Sequence, residues 1–182
     1  MVQTFTSFPV LSSERLLLRK LSIEDTGDLF KLRSDRRVNE FIDRIPATKI
    51  DEVESFITKI NKGIDNNEWY YWAVSLKSTN KLIGTICLWN INPVDEIAEL
   101  GYELMPDFQG LGIMVESVDK IIDFGFNVMQ LKILTGVVRT MNYKSVNLLV
   151  KKGFVKDIDN KITEEPLGEG YDLYYLKKME GK

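Results

Sequence analysis

Gln109-Gly110-Leu111-Gly112-Ile113-Met114 follows an extended run and opens a helical one; downstream comes Asn142-x-x-Ser145-x-x-Leu148-x-x-Lys151-x-Gly153-Phe154. A glycine-rich turn where a strand meets a helix leaves several backbone N–H groups without partners and pointing one way. With the helix dipole they form an anion site suited to a pyrophosphate. The second stretch sets Asn142 and Ser145 at the start of a short helix that stops at Gly153, and Asn is a favoured helix cap. Two rival glycine-loop chemistries fail on single residues. A P-loop needs Gly-Lys-Ser/Thr, but Ile113 follows Gly112. A dinucleotide fingerprint needs a third small residue where Val115 stands.

Working outward, periodicity supplies the frame. Arg15 to Leu21 reads as a strand, and Ser22-Ile23-Glu24-Asp25 starts a helix with Ile23, Leu29, Phe30 and Leu32 on its apolar side. Thr48-x-x-Asp51 reads as a capping box ahead of Ile50, Val53, Phe56, Ile57 and Ile60 at helical spacing, with Gly63 as the stop. Trp69 to Leu76 and Lys81 to Trp89 are aromatic and β-branched strands joined by a hairpin at Lys77-Ser78-Thr79-Asn80. Ile97 to Leu104 is a strand with Glu99, Gly101 and Glu103 on one face and Leu100, Tyr102 and Leu104 on the other. Gly112 to Met129 reads as a helix, Leu131 to Val138 as a buried strand, Met141 to Lys152 as a helix, and Tyr171 to Lys177 as a final strand. Strands first, then alternating strands and helices, predict an α/β (α+β) fold around a mixed sheet. No repeat or linker divides the chain, so residues 1–182 are expected to form one domain, with residues 1–13 as an N-terminal arm.

Composition narrows the chemistry. The chain has 182 residues, 44% hydrophobic, enough for a sizeable core, and no histidine. Without histidine there is no Ser-His-Asp or Cys-His triad, and a transition-metal site is nearly excluded, so no metal is expected. Any general base is then Asp, Glu, Tyr, Lys, a terminus or a water. Net charge is −3 and the pI about 5.2, which lacks the basic footprint of a nucleic-acid binder. A lone cysteine, Cys87, excludes an internal disulfide and reads as an inert thiol in an apolar run. No signal peptide and no bilayer-length apolar stretch are visible, so the expected location is cytoplasmic, with no membrane partner.

The two quoted stretches, in this order and spacing, resemble the GCN5-related N-acetyltransferase (GNAT) superfamily, and within it the Rim-type branch that acetylates ribosomal-protein N-termini or small amines. The resemblance runs from about Leu16 to Lys178. The family's acetyl-CoA loop, Q/R-x-x-G-x-G/A, is in register at Gln109 and Gly112; Met114 departs from it, standing where the family has Gly or Ala. A long side chain there either crowds the pyrophosphate or points into the core. The resemblance implies a mixed central sheet with helices on both faces and a cofactor cleft where two neighbouring strands splay apart. It implies acetyl-CoA as co-substrate, bound by Gln109, Gly110, Leu111, Gly112, Ile113 and Met114 at the pyrophosphate and by Asn142 at the pantetheine. By the same resemblance the N–H of Leu104 would serve the thioester carbonyl, the backbone of Met105 would contact the pantetheine, and Ser145 would approach the sulfur.

Two family groups are missing. The tyrosine that many members use as acid aligns with Leu149, and a glutamate some carry on the next strand aligns with Val137. Ser145 is the substitute acid, and Glu103 and Glu99 are the base candidates, since only a free amine attacks. The reaction expected is acetyl transfer to a primary amine, either a protein N-terminus or a small amine, by direct attack in a ternary complex. The alternative is a non-catalytic acyl-CoA-binding or regulatory module of the same fold. A homodimer is left open.

Overall fold

The computed structural model describes residues 2–163 and 167–179. Eight strands form one mixed sheet: β1 (Leu11–Ser12), β2 (Leu16–Lys20), β3 (Tyr70–Leu76), β4 (Leu82–Asn92), β5 (Ile97–Leu104), β6 (Ile133–Arg139), β7 (Val155–Lys156) and β8 (Tyr171–Lys177). Their spatial order is β1-β2-β3-β4-β5-β6-β8-β7. Neighbours are antiparallel except at the centre, where β5 and β6 run parallel. That one parallel contact forces a crossover, which α4 (Ile113–Asp123) and a following π-helical turn (Phe124–Val128) supply.

Helices cover both faces. α1 (Thr26–Ser34), α2 (Arg36–Asn39) and α3 (Ile50–Asp65) lie on one side, where Leu29, Leu32, Val53 and Ile57 bury against Ala73 and Leu82. α4 and α5 (Tyr143–Lys151) lie on the other, where Val118, Ile121 and Leu149 join Trp72, Ile86 and Leu100. Fully burying side chains of this size contributes about 1.5–3 kcal/mol each, so the sheet is held from both faces. The N-terminal arm is anchored on the second face: Phe5 rings pack on Tyr70 and Phe124, and Phe8 on Trp72.

Four local expectations are corrected. Gly63 does not stop α3, which continues to Asp65; a Cβ at Gly63 would overlap the Trp69 ring, so the glycine serves close packing. The N-terminus of α3 is closed by Glu52, one residue beyond the expected Asp51. Its carboxylate accepts from the Thr48 N–H at 2.9 Å and from the Thr48 hydroxyl at 3.1 Å. The helix expected through Met129 leaves α-geometry at Phe124, where the Met129 N–H bonds the Phe124 carbonyl at 2.8 Å. This π-turn brings Phe124, Phe126 and Met129 together into the core. Ile23, expected on an apolar face, is exposed.

Candidate active site

β5 and β6 pair at only three positions: Ile97 with Ile133, Ala98 with Leu134, and Glu99 with Thr135. Beyond them β5 stays zipped to β4 as far as Leu104, and β6 stays zipped to β8 as far as Arg139. Each strand is held by its outer neighbour, so the two diverge from Leu100 and Gly136 onward. A cavity of about 580 Å³ occupies the opening, bounded by Gly101 and Glu103 of β5, Gly136 and Val138 of β6, and Asn142 and Ser145 of α5. It continues through the sheet to Arg33 and Phe56 on the α1–α3 side.

Two glycines shape this passage by what they omit. A Cβ on Gly101 would lie 3.0 Å from the Cys87 Sγ, and one on Gly136 would lie 3.3 Å from the Leu149 side chain. Gly101 thus opens the floor on one face, and Gly136 lets α5 close down on the other. Leu149 fills the family's tyrosine position as a core residue, 1% exposed.

Hydrogen-bond alternation decides which backbone groups face the splay. The Met105 N–H bonds the Ile83 carbonyl at 2.9 Å, while Leu104 stands opposite Gly84. In an antiparallel ladder adjacent residues direct their N–H groups to opposite edges. The N–H of Leu104 therefore points away from β4, toward the opening where the β6 ladder has ended. The Met105 N–H is bonded to Ile83, and its carbonyl accepts from Phe108 at 3.0 Å, so the contact expected from Met105 falls to the carbonyl's second lone pair.

The glycine loop lies beyond the end of β5. Gly110 and Gly112 have φ of +76° and +74°, the left-handed region that costs a residue with a Cβ about 1–2 kcal/mol. The N–H groups of Gly110, Leu111 and Gly112 find no acceptor among the described residues, and the first amides of α4 have none within the helix. Gln109 braces the loop: its Nε2 donates to the Leu104 carbonyl at 3.1 Å, and its Oε1 accepts from Lys144 of α5 at 2.9 Å. Ile113 and Met114 point into the core, 3% and 6% exposed, so Met114 leaves the loop's outer surface clear. At α5, the Asn142 side chain caps the helix by accepting from the Ser145 N–H at 3.2 Å. Ser145 lines the cavity, and its carbonyl accepts from the Tyr102 hydroxyl at 3.4 Å. Burial pushes the Tyr102 phenol up to about 12, so it remains a donor.

The two glutamates sit in unlike surroundings on the α1–α3 face. Glu103 is 7% exposed and ion-paired with Arg44 at 2.6 Å. Its other oxygen accepts from Thr85 at 3.0 Å and from Tyr71 at 3.4 Å. Glu99, near the start of the splay, is half-buried and has no ion-pair partner among the described residues; it accepts from Asn90 at 2.9 Å. Burial raises its pKa, and the Asn90 and Trp89 side chains partly offset the rise. Cys87 lines the cavity instead of the core, and burial pushes its thiol up to about 12, which keeps it from acting as a thiolate nucleophile. Of the aromatic residues on β3 and β4, Tyr71 and Trp89 also line the cavity, whereas Tyr70 and Trp72 are core. Arg33, Arg44 and Tyr102 were not singled out by the sequence; Arg33 and Arg44 lie in segments of mixed charge without a motif.

A loop closes the cavity from above. Residues 40–49 follow α2, and Asp43 in that loop ion-pairs with Arg139 at the end of β6, whose guanidinium stacks 4.2 Å from the Tyr171 ring centre. Among the described residues no group of three or more Cys, Asp or Glu is arranged to hold a metal ion, and no helix is long and apolar enough to cross a membrane.

Comparison with known proteins agrees with this geometry. A family model described as an acetyltransferase (GNAT) domain matches residues 15–155. The N-acetyltransferase p20 of Bacillus licheniformis is 30% identical over 169 residues, 93% of this chain and 95% of that protein. Among solved structures, the spermidine N-acetyltransferase of Vibrio cholerae in complex with CoA and spermine superposes with a TM-score of 0.74 at 25% identity, covering 91% of this chain and 96% of that one. The ribosomal-protein-S5-alanine acetyltransferase of Vibrio fischeri shares the fold at a TM-score of 0.77 and 21% identity, over 93% and 96% of the two chains. With its splayed central strands, glycine loop and capped α5, this chain belongs to the GNAT acetyltransferase family.

Proposed function

We propose that the protein transfers acetyl from acetyl-CoA to a primary amine by direct attack, the two substrates meeting inside the sheet. The observation that carries this reading is the cavity that passes from the glycine-loop side to the α1–α3 side through the β5–β6 splay. A passage open on both faces lets thioester and amine approach from opposite sides, and holding two reactants in line contributes a large share of rate enhancement.

The residues present fit acetyl-CoA. The left-handed glycine loop offers unbonded amides with no Cβ to obstruct them, at the positive end of α4. Gly110, Leu111, Gly112 and the first amides of α4 would hold the pyrophosphate, and Asn142 the pantetheine arm. When bound, acetyl-CoA supplies an electrophilic thioester carbonyl and a thiolate that leaves readily. The Leu104 N–H, aimed into the splay, polarises that carbonyl as negative charge develops on it. Glu99 accepts the proton that the amine loses as its nitrogen bonds the acetyl carbon and the carbon–sulfur bond breaks. The Ser145 hydroxyl stands at the departing sulfur.

Glu99 is favoured over Glu103 as base on physical grounds. Glu103 is held in a buried ion pair with Arg44 through one oxygen and accepts from Thr85 and Tyr71 through the other, so drawing it into proton transfer would leave Arg44 without its counter-charge. Glu99 has a free lone-pair direction, and its raised pKa makes it a stronger base than an ordinary glutamate once ionised. Release of free thiol from acetyl-CoA, measured against a panel of amines and N-terminal peptides, tests the reading. Thiol release above the hydrolysis background, with a matching acetylated amine by mass spectrometry, is expected; cofactor binding without turnover of any amine would leave a binding module instead.

A further inference from the structure

Arg33, Arg44, Glu99 and Glu103 all line the α1–α3 end of the cavity, and their charges balance, but only two of them are paired with each other: Glu103 with Arg44 at 2.6 Å. Asp43 and Arg139, also in the lining, pair with each other. Among the described residues that leaves one carboxylate, Glu99, and one guanidinium, Arg33, without an ion pair. The half-buried Arg33 guanidinium lies over the Phe56 ring, 3.8 Å from the centre, with the Tyr71 hydroxyl beside it. Burial first, and then the neighbouring Arg44, lower the Arg33 pKa, and Glu103 and Tyr71 offset part of that. An amine that reaches Glu99 thus finds a free cation further along the same cavity.

We infer that Arg33 forms an anion subsite for the acceptor, which is therefore an amine that also carries a carboxylate or phosphate, and not a polyamine. The inference rests on the acetyltransfer reading above and names its substrate class. Glu99 and Glu103 flank Gly101 on one strand face, so the opening at Gly101 lies two residues, roughly 7 Å, from the Glu103 end where the guanidiniums sit. That spacing suits an acceptor whose nitrogen and anionic group are separated by several bonds. Arg is also the residue type that binds a carboxylate or phosphate through two parallel hydrogen bonds, and here Phe56 and Tyr71 fix the plane of its fork. A polyamine would bring a second cation toward Arg33, with no second unpaired carboxylate in the cavity lining to meet it among the described residues.

The test compares three acceptors of one length: γ-aminobutyrate, its neutral amide, and putrescine. Thiol release from acetyl-CoA should give a kcat/KM for the acid roughly tenfold above that of the amide, with putrescine lowest. Arg33→Met should raise KM for the acid to the level of the amide and leave kcat with either acceptor within about twofold, since the guanidinium binds and does not react. Arg33→Lys, which keeps the charge, should recover part of the preference. Binding gives a second readout: γ-aminobutyrate should raise the melting temperature of the CoA-saturated protein, and Arg33→Met should remove that shift while keeping the shift due to CoA. Equal kcat/KM for acid and amide, or a preference for putrescine, would overturn the inference and leave the acetyltransferase reading intact. So would an Arg33→Met variant that weakens all three acceptors alike, which would mark Arg33 as a packing residue on Phe56. If no acceptor is turned over, absence of the melting shift with the acid overturns it as well. Failure of acetyl-CoA itself to stabilise the protein would sink the acetyltransferase reading first, and this one with it.

Discussion

The two sides of the splayed strands are built from different material. On the α4–α5 side the groups that matter are backbone amides: the glycine loop, the first turn of α4, the Leu104 N–H, and an asparagine cap. On the α1–α3 side they are side chains gathered from separate segments: Arg33 from α1, Arg44 from the loop after α2, Phe56 from α3, and Glu99 and Glu103 from β5. A backbone site needs only a few residue types at fixed spacing, because its geometry comes from turn and helix conformation. A side-chain site can be assembled from many combinations, so one scaffold hosts many acceptors. The difference teaches where specificity resides. On the acetyltransfer reading proposed above, the first side would set what is donated and the second what receives it.

The largest effect separates the two sides directly. Gly112→Asp places a side chain and a negative charge at a left-handed position beside the pyrophosphate site, and the thermal shift due to acetyl-CoA should disappear. Gly112→Ala is the control, isolating the backbone strain of about 1–2 kcal/mol. An Asp variant that folds and binds acetyl-CoA as well as the parent would remove the loop from the cofactor side.

The next effect lies within the acceptor side and distinguishes its two glutamates. Glu99→Gln keeps the shape but cannot accept a proton, so the rate should fall ~10²-fold or more. The sign of the pH dependence follows from the raised pKa: at low pH Glu99 is protonated and cannot act, so kcat/KM should rise with pH through a value above the ordinary glutamate range. Glu99→Gln should flatten that limb. If Glu103→Gln removes the limb and Glu99→Gln does not, the base is Glu103 after all.

Smaller in rate but measurable in stability is the Arg44–Glu103 pair. Arg44→Met strands a buried carboxylate, which costs about 3–5 kcal/mol and should lower the melting temperature by roughly 6–20 °C. The double variant Arg44→Met with Glu103→Leu should recover most of the loss, since removing both charges leaves nothing unpaired. A single variant as stable as the parent would show that the pair is solvated, and would return Glu103 to contention as the base.

The smallest expected effect is at the sulfur. A thiolate leaves without much help, so Ser145→Ala should lower kcat only a few-fold with little change in cofactor affinity. Tyr102→Phe, at the neighbouring hydroxyl, is the companion experiment. If it reduces kcat more than Ser145→Ala does, the proton for the departing sulfur comes from β5 and not from α5.

Much of this molecule was legible from local pattern. Ile97–Leu104 reads as a strand from alternation alone, and Asn142 as a cap from its place before an apolar period, because periodicity and capping are set within a few residues. Met114 shows the limit of a motif. It breaks the family's loop pattern, yet in the helix it turns inward and is buried, which depends on where α4 lies against the sheet. Gly63 shows the reverse: a residue that reads locally as a helix stop is a packing site for Trp69, a contact formed only once α3 meets β3. Two glutamates on one strand face are equivalent in sequence. What separates them is Arg44, which arrives from a loop with no readable motif and neutralises one of them.

The sequence by itself determined the family, the glycine turn ahead of α4 and the lack of histidine, because these depend on residue types at short, fixed spacings. The tertiary structure alone decided which carboxylate lacks an ion pair, that Arg33 lacks one among the described residues, and that the Leu104 N–H faces the opening. Each of these depends on distances between segments far apart in the chain and on which strand edge stays zipped. Burial and charge pairing act over a few ångströms of space, and no spacing along the sequence records them.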